Sequence, residues 1–317
     1  MTSHACRVGP AVRRAQHALT LSLVLLLVGC TTAPRPDVAD SLPSPKAAAL
    51  DIPAAGTVAV AVVGDSAGLT LPVDTYLWST QESRTLHAAE TRLVEQCLAR
   101  FHRRLPATTP PSGLEPETTT SRRYGLTSPT QAAEYGYRLP AALTQEAPAP
   151  MGMVSAADRT TVGVIEGSVR DVDGLPVPAG GCAQEAADRL GGGRPVGVQD
   201  IPQDVDGAAW RLSRADPHVQ AAFRAWALCM NKQGFEYSDP MGPMNDARFV
   251  GTPGLGEKAV AKADVACKSA SNTAGTWYAY DVEYQRLLIH RNAQAMRVAL
   301  DDKGHQLQVA RRVLAAG

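Results

Sequence analysis

This 317-residue chain contains six cysteines, and their positions constrain its fold more than any other feature. Two lie within the first 30 residues, and four follow far apart, at Cys97, Cys182, Cys229 and Cys267. None of the four belongs to a Cys-x₂-Cys pair, so a zinc site is the weaker interpretation. An even number of cysteines is typical of a disulfide framework if the chain leaves the cytoplasm. The N-terminal residues therefore decide how these cysteines are interpreted.

The first 29 residues have the pattern of a bacterial export signal. Arg7, Arg13 and Arg14 precede an uncharged apolar run over 18–28, which is shorter than the roughly 20 residues that a membrane-spanning helix requires. The run ends Leu-Val-Gly before Cys30, which resembles a lipobox and implies cleavage before Cys30 and lipidation of its thiol. An ordinary signal peptide and a twin-arginine signal are the alternatives that this segment leaves open.

Cleavage at this point predicts a protein anchored to the outer face of the cell membrane by its acyl chains, such as palmitate. Removal of residues 1–29 takes away three arginines and no acidic residue, which leaves a formal charge of −3. Electrostatic attraction to anionic lipids therefore does not contribute to membrane binding. The buried CH₂ groups of the lipid, at about 0.8 kcal/mol each, hold the chain at the membrane. Residues 30–70 are predicted to form the anchor and a flexible tether, and 71–317 the folded domain.

The composition excludes two broad classes of protein. Lys and Arg together number 31, as do Asp and Glu, so there is no basic surplus for nucleic-acid binding. A hydrophobic content of 44% with 20% charged residues also argues against a wholly disordered chain.

Hydrophobic periodicity predicts a mainly α-helical domain with long loops, at most a short strand or two, and a long C-terminal helix. In the rear half, Asp216-Pro217 begins a helix that Gly234 ends, and another is predicted over 256–271. Thr276 is expected to cap the last helix, over 276–315, with Val298 on its apolar face and a kink at 301–304.

The front half gives weaker signals. Ser79 and Glu82 form a capping-box pattern that begins a helix running to about Arg104. Shorter helices are predicted from Ser128 to Tyr135 and over 181–190. The β-branched runs at 58–63 and 161–165 indicate short strands.

The cysteines lie in two similar settings. Cys97 and Cys229 each come late in an amphipathic helix, five residues after an arginine and just before a bulky apolar side chain. The two remaining cysteines each lie in a later Ala-rich segment, which indicates a weak duplication of 79–191 and 215–271. Four cysteines allow three pairings. This pattern favours the pairs Cys97–Cys182 and Cys229–Cys267.

One serine lies in a motif with catalytic associations. Ser66 lies in Gly-Asp-Ser-Ala-Gly, and His305 ends Asp-Lys-Gly-His, which together resemble the motifs of Gly-Asp-Ser hydrolases. The Gly-x-Asn-Asp block of that family is absent, and no helix pattern follows Ser66 as a nucleophile elbow requires. A turn is the favoured interpretation, and a serine esterase using Ser66 and His305 is the alternative.

Aromatic side chains provide the candidate binding surface. Tyr124, Tyr135 and Tyr137 lie in the loop-rich half, where a packed core is less expected, and they are the first candidates. Trp277 and Tyr280 are further candidates, although their helical spacing is typical of core packing. The scattered histidines have no metal-ligand spacing, so we predict no metal site and no cofactor.

Three stretches resemble a group of actinobacterial secreted lipoproteins of unknown function. They are Leu-Pro-Val-Asp-Thr-Tyr at 71–76, Arg-Arg-Tyr-Gly-Leu at 122–126 with Ala-Glu-Tyr-Gly-Tyr-Arg-Leu-Pro at 133–140, and Trp-Ala-Leu-Cys-Met with Gly-Phe at 226–235. The chain departs from the group at His102, where a glycine is usual. Such proteins are often encoded beside ABC-type export systems, so the resemblance implies a non-enzymatic binding or scaffold role with an envelope protein or ABC transporter as partner. A small-ligand receptor is the other alternative.

Overall fold

The computed structural model describes residues 54–105, 120–139, 156–249 and 251–316. These ranges contain nine α-helices, which confirms the predicted mainly α-helical class. They are α1 (Thr80–Ala99), α2 (Pro129–Tyr135), α3 (Ala156–Glu166), α4 (Gly181–Gly191), α5 (Asp200–Ala215), α6 (Pro217–Lys232), α7 (Leu255–Ala270), α8 (Thr273–Arg291) and α9 (Ala293–Ala315). The strands β1 (Asp171–Val172) and β2 (Leu175–Pro176) form a two-stranded antiparallel hairpin. Cys30, the signal segment and most of the predicted tether lie outside the described residues.

Helix α1 begins as its capping box predicts and ends earlier than expected. The Ser79 hydroxyl accepts a hydrogen bond from Glu82 N, and the Glu82 carboxylate accepts one from Ser79 N. The helix ends at Ala99 rather than near Arg104, because His102 adopts a left-handed conformation with φ of 54°. That conformation turns the chain away from the helix axis.

The C-terminal segment forms two helices where one was predicted. Helix α8 starts at Thr273 after Asn272, whose φ is 46°, so Thr276 lies inside the first turn and not at the cap. The break falls at Asn292, where the side-chain amide donates to the Leu288 carbonyl. Residues 301–304, the predicted kink, are continuous helix within α9.

Helix α5 was not predicted, and both predicted strands are absent. The apolar positions of α5, among them Val205, Ala208 and Ala209, recur at helical spacing and are buried, a signal that was present in the sequence. Residues 161–165 belong to α3, where Val164 is buried, so helix packing overrides the β propensity of a β-branched run. Residues 58–63 have no regular secondary structure and pair with no strand among the described residues.

Residues 54–70, which were predicted to belong to the tether, pack against the helices instead. Ala55 is buried, and its N–H donates to the Tyr284 hydroxyl at 3.0 Å. The Asn272 side chain holds Val63 N and the Ala61 carbonyl at 3.1 and 3.0 Å. This segment is thus part of the folded domain.

Three hydrophobic clusters form the core, and the two disulfides connect helices within two of them. The first cluster contains α5, α6 and α8, the second α1, α3, α4 and the end of α9, and the third α2, α6 and α7. Cys97 bonds to Cys182 in the second cluster, and Cys229 bonds to Cys267 in the third, so the predicted pairing is confirmed. None of the described helices is both long and apolar enough to cross a membrane.

Candidate functional site

Ser66 is a buried turn residue in this structure. Its hydroxyl donates to the Thr120 carbonyl at 3.0 Å and lies 3.0 Å from the Thr127 hydroxyl, which also accepts from Ser66 N. The side chain has no solvent exposure. His305 lies elsewhere, exposed on α9 with its ring beside Gly192. The two residues of the esterase hypothesis therefore have separate environments, and the contacts of Ser66 are structural.

Four of the five predicted surface aromatics are buried, so the predicted binding surface is wrong for them. Tyr124, Tyr137, Trp277 and Tyr280 are all in the core, and Tyr135 is half-buried. The physical reason is long-range packing, since Tyr124 makes an edge contact with Trp277 at 5.5 Å between ring centroids. A loop that carries large apolar rings covers a helix instead of facing water.

The loop at 120–127 is held to the first cluster by a buried ionic network. The Arg123 guanidinium contacts Asp281 at 2.5 Å and Asp206 at 2.9 Å, and Asp281 is fully buried. The Tyr124 hydroxyl donates to Asp281 at 2.8 Å. Burial and the neighbouring Asp281 carboxylate raise the pKa of Tyr124 well above its ordinary value. The tyrosine consequently stays protonated and serves as a hydrogen-bond donor.

A second buried network joins the segment after α2 to α7. Lys268 contacts Asp264 at 2.8 Å, with side-chain exposures of 2% and 0%. Asp264 also accepts from the Tyr137 hydroxyl at 3.1 Å and from the Trp226 indole at 2.9 Å. Burial and this carboxylate raise the pKa of Tyr137. Gly125, with φ of 80°, is needed here because a Cβ would approach the Lys268 ammonium to 2.6 Å.

These contacts give the Arg-Arg-Tyr-Gly sequence at 122–125 a structural explanation. In the Arg-Arg-Tyr-Gly motif, Arg122 donates to the carbonyls of Tyr137 and Arg138 at 3.1 Å each. Arg123 and Tyr124 hold the loop on α8 through Asp281, and the glycine makes room for a lysine. The polar groups of Arg122, Arg123 and Tyr124 thus make their hydrogen bonds inside the domain.

An Asp–His pair lies at the N-terminus of α6. His218 Nδ1 is 3.0 Å from the buried Asp216 carboxylate, and its ring stacks on Tyr280 at 4.9 Å. The same carboxylate accepts from the Tyr284 hydroxyl at 2.9 Å. In the part of the chain that the structure describes, no group of three potential metal ligands forms, here or elsewhere. Asp216 is the N-cap of α6, where it accepts from His218 N at 2.9 Å, and Tyr284 links this cap to Ala55 N.

The surface carries one opening lined mainly by apolar side chains, which we call the apolar cleft. It has a volume of about 240 Å³ and lies between α9 and the start of α5. Val198 and Val298 flank it with 53% and 42% of their surface exposed. Its lining consists of Pro195, Val198, Gln199, Asp200, Ile201, Pro202, Ala295, Val298, Ala299 and Asp302.

The cleft follows from helix periodicity. Ala295, Val298, Ala299 and Asp302 recur at three- and four-residue intervals, so they occupy one stripe of α9. The sequence placed Val298 on the apolar face of this helix but gave no signal that the face would be left partly uncovered. The loop before α5 and the first residues of that helix form the other wall of the cleft.

Two larger surface depressions have a different character. One, of about 550 Å³, lies at the end of α6 and is lined partly by Asn231, Glu236 and Tyr237. Another, of about 610 Å³, lies at the end of α1, where Glu95 and Arg104 contribute to its wall. Their polar linings distinguish them from the cleft, in which seven of the ten lining residues are Val, Ile, Ala or Pro.

The comparisons with known proteins supply no further assignment. No protein-family model, curated protein or solved structure matches this chain. Functional conclusions accordingly rest on the sequence motifs and on the geometry of the domain.

Proposed function

We propose that this chain is a lipoprotein anchored by its lipid to the outer face of the cell membrane, with a non-enzymatic binding or scaffold role, and that it serves an envelope protein such as an ABC-type export system. The observation that carries the binding role is the apolar cleft. Apolar side chains grouped in an opening with a polar rim favour contact with a partner, and Val198 and Val298 lie in such an opening beside Asp200 and Asp302.

The location is supported by two independent features. The lipobox-like Leu-Val-Gly-Cys ending at Cys30 favours lipidation. The two disulfides favour folding in an oxidising compartment, since thiols are kept reduced in the cytoplasm.

The size of the cleft favours a protein partner over a small-ligand receptor. Ligand pockets for drug-sized molecules span about 300–1,000 Å³, and the cleft offers about 240 Å³. A cavity of about 150 Å³ already holds a benzene-sized group. The cleft is thus suited to a single bulky side chain of a partner. The buried hydroxyl of Ser66 gives the esterase alternative no support.

The anchor is tested by metabolic labelling with an acyl-chain analogue in a host that processes lipoproteins. Wild type should carry the label and fractionate with membranes, whereas Cys30→Ala should lose both. Cys6→Ala is the matched control, because Cys6 lies in the segment that is removed. Label retained by Cys30→Ala would refute lipidation at this residue.

The binding role is tested by in-cell photo-crosslinking. A photoreactive side chain at position 298 should give one recurrent crosslinked protein, identified by mass spectrometry. The control is position 314, since Leu314 is equally exposed on α9 and lies about 24 Å further along the helix axis. Equal products from both positions, or none, would contradict a partner at the cleft. Labelling of the wild type by a fluorophosphonate, lost in Ser66→Ala, would instead support the esterase.

A further inference from the structure

The charges around the apolar cleft restrict what can occupy it. Two carboxylates, of Asp200 and Asp302, belong to the lining, and no cationic side chain does. Arg194 reaches Asp302 from outside the lining and forms an ion pair with it. Asp200 is exposed, and within the described ranges no ion pair involves its carboxylate.

The Asp200 carboxylate and part of the apolar wall come from consecutive residues. Asp200 is the first residue of α5 and is followed directly by Ile201 and Pro202, which are part of the apolar wall. Val198 and Val298 flank the opening. An occupant that fills the cavity therefore has its neighbouring residues beside a carboxylate.

We propose that the apolar cleft binds a cationic amphipathic segment of a partner protein, with one Leu- or Phe-sized side chain in the cavity and an adjacent Lys or Arg on Asp200. This inference rests on the proposed binding role and adds the chemistry of the partner. Charge complementarity selects the basic residue, because an acidic neighbour would face Asp200 at close range. The cavity volume selects one bulky apolar anchor, of the kind that dominates protein interfaces.

The proposal predicts a specific preference between two synthetic probes. One is a 14-residue amphipathic helix of Leu and Lys, and the other has Glu in place of every Lys. The disulfide-bonded chain without its signal and lipid, residues 31–317, is titrated with each labelled peptide, and binding is followed by fluorescence anisotropy. The Leu/Lys peptide should bind at least tenfold more tightly than the Leu/Glu peptide.

Variants locate the binding at the cleft. Val298→Ser should weaken binding of the Leu/Lys peptide about tenfold, as expected from loss of a buried Val contact. Asp200→Asn should weaken it about threefold to fivefold, in the range of an exposed ion pair. Leu314→Ser, an equally exposed apolar residue of the same helix, is the control and should leave the dissociation constant unchanged. Since Val298 and Asp200 are exposed, circular dichroism of the variants should match the wild type.

The outcomes separate this inference from the proposed function. If both peptides bind equally, or if Val298→Ser and Leu314→Ser behave alike, the cationic anchor is refuted. If a partner is still crosslinked at position 298 in cells, the binding role stands and only its assigned chemistry fails. If neither peptide binds and position 298 crosslinks nothing, both fail.

Discussion

Each half of this domain, residues 79–191 and residues 215–271, contains one disulfide. The first helix of each half ends in the same way, but the helices that carry the second cysteine differ. In the first half, α1 carries Cys97, and a left-handed residue, His102, follows its end; in the second, α6 carries Cys229, and Gly234 follows its end in the same way. The left-handed residue comes five positions after the cysteine in both halves, with φ of 54° and 82°. Each helix thus closes by the same backbone turn.

Hydrogen bonds at the two helix ends confirm this likeness. Arg103 N donates to the Leu98 carbonyl at 3.1 Å, and Phe235 N donates to the Met230 carbonyl at 3.0 Å. Both are the six-to-one bonds of a Schellman motif. The apolar contact that usually accompanies the motif is available only in the second half, where Phe235 packs against the third cluster and Arg103 takes the same place in the first.

The helices that carry the second cysteine of each disulfide, α4 and α7, do not correspond to each other. Cys182 is the second residue of α4, whereas Cys267 lies in the last turn of α7. The ion pairs differ as well: Arg100–Glu185 has side-chain exposures of 51% and 42%, and Lys268–Asp264 is buried. The two halves therefore share the ending of their first helix, but α4 and α7 are stabilised by different contacts.

Removing each disulfide should give the largest losses in the free energy of unfolding, and the two losses can be compared between the halves. Replacing Cys97 and Cys182 by alanine opens a loop of 85 residues, and replacing Cys229 and Cys267 opens one of 38. The chain-entropy relation gives losses of about 4.6 and about 3.9 kcal/mol in the free energy of unfolding. Urea unfolding of each paired variant measures the difference. A larger loss for the second pair would show that native contacts, and not loop length, set the ranking.

The two ion pairs should differ in the next largest effect. Lys268→Met leaves the buried Asp264 carboxylate without its cation, so we expect a loss of about 3–5 kcal/mol in the free energy of unfolding. Arg100→Met removes an exposed pair and should cost about 0–1 kcal/mol. Thermal and urea unfolding of both variants test this contrast. Similar losses would contradict the ranking by burial and would indicate that Arg100 stabilises the domain through its contacts with Cys97 and Phe101.

The sequence was most informative where signals are local. The Ser79 capping box, the Asp216-Pro217 start and the Gly234 stop are local rules of helix chemistry, and all three hold in the structure. The cysteine pairing was also predicted, because Cys97 and Cys229 lie in similar helices and each was paired with the cysteine of the Ala-rich segment that follows it.

The sequence was least informative where distant elements meet. Tyr124 was predicted to be a surface residue because its neighbours have the composition of a loop, yet its hydroxyl partner Asp281 is 157 positions away. The apolar cleft is likewise created by α9 and the start of α5, which are far apart in the chain, and no local pattern marks it. Such sites depend on tertiary placement, which periodicity does not contain.

The left-handed glycine of the second half should give a smaller effect. Gly234 has open space where a Cβ would lie, so Gly234→Ala tests backbone conformation alone. We expect a loss of about 1 kcal/mol in the free energy of unfolding, the usual penalty for an L side chain in this region. Gly304→Ala is the control, since Gly304 lies within α9 with equally open space, and it should gain about 0.5–1 kcal/mol. A loss in both variants would mean that side-chain crowding, not φ, is being measured.

The matching position of the first half should give the opposite sign. His102 is exposed and holds the left-handed conformation that Gly234 adopts without strain. His102→Gly should therefore raise the free energy of unfolding by about 0.5–1 kcal/mol, because glycine relieves the strain at a Schellman C′ position. Urea unfolding beside Gly234→Ala makes the two substitutions a reciprocal pair. A destabilised His102→Gly variant would show that the imidazole itself contributes to the first half, and the equivalence of the two helix ends would then be limited to the backbone.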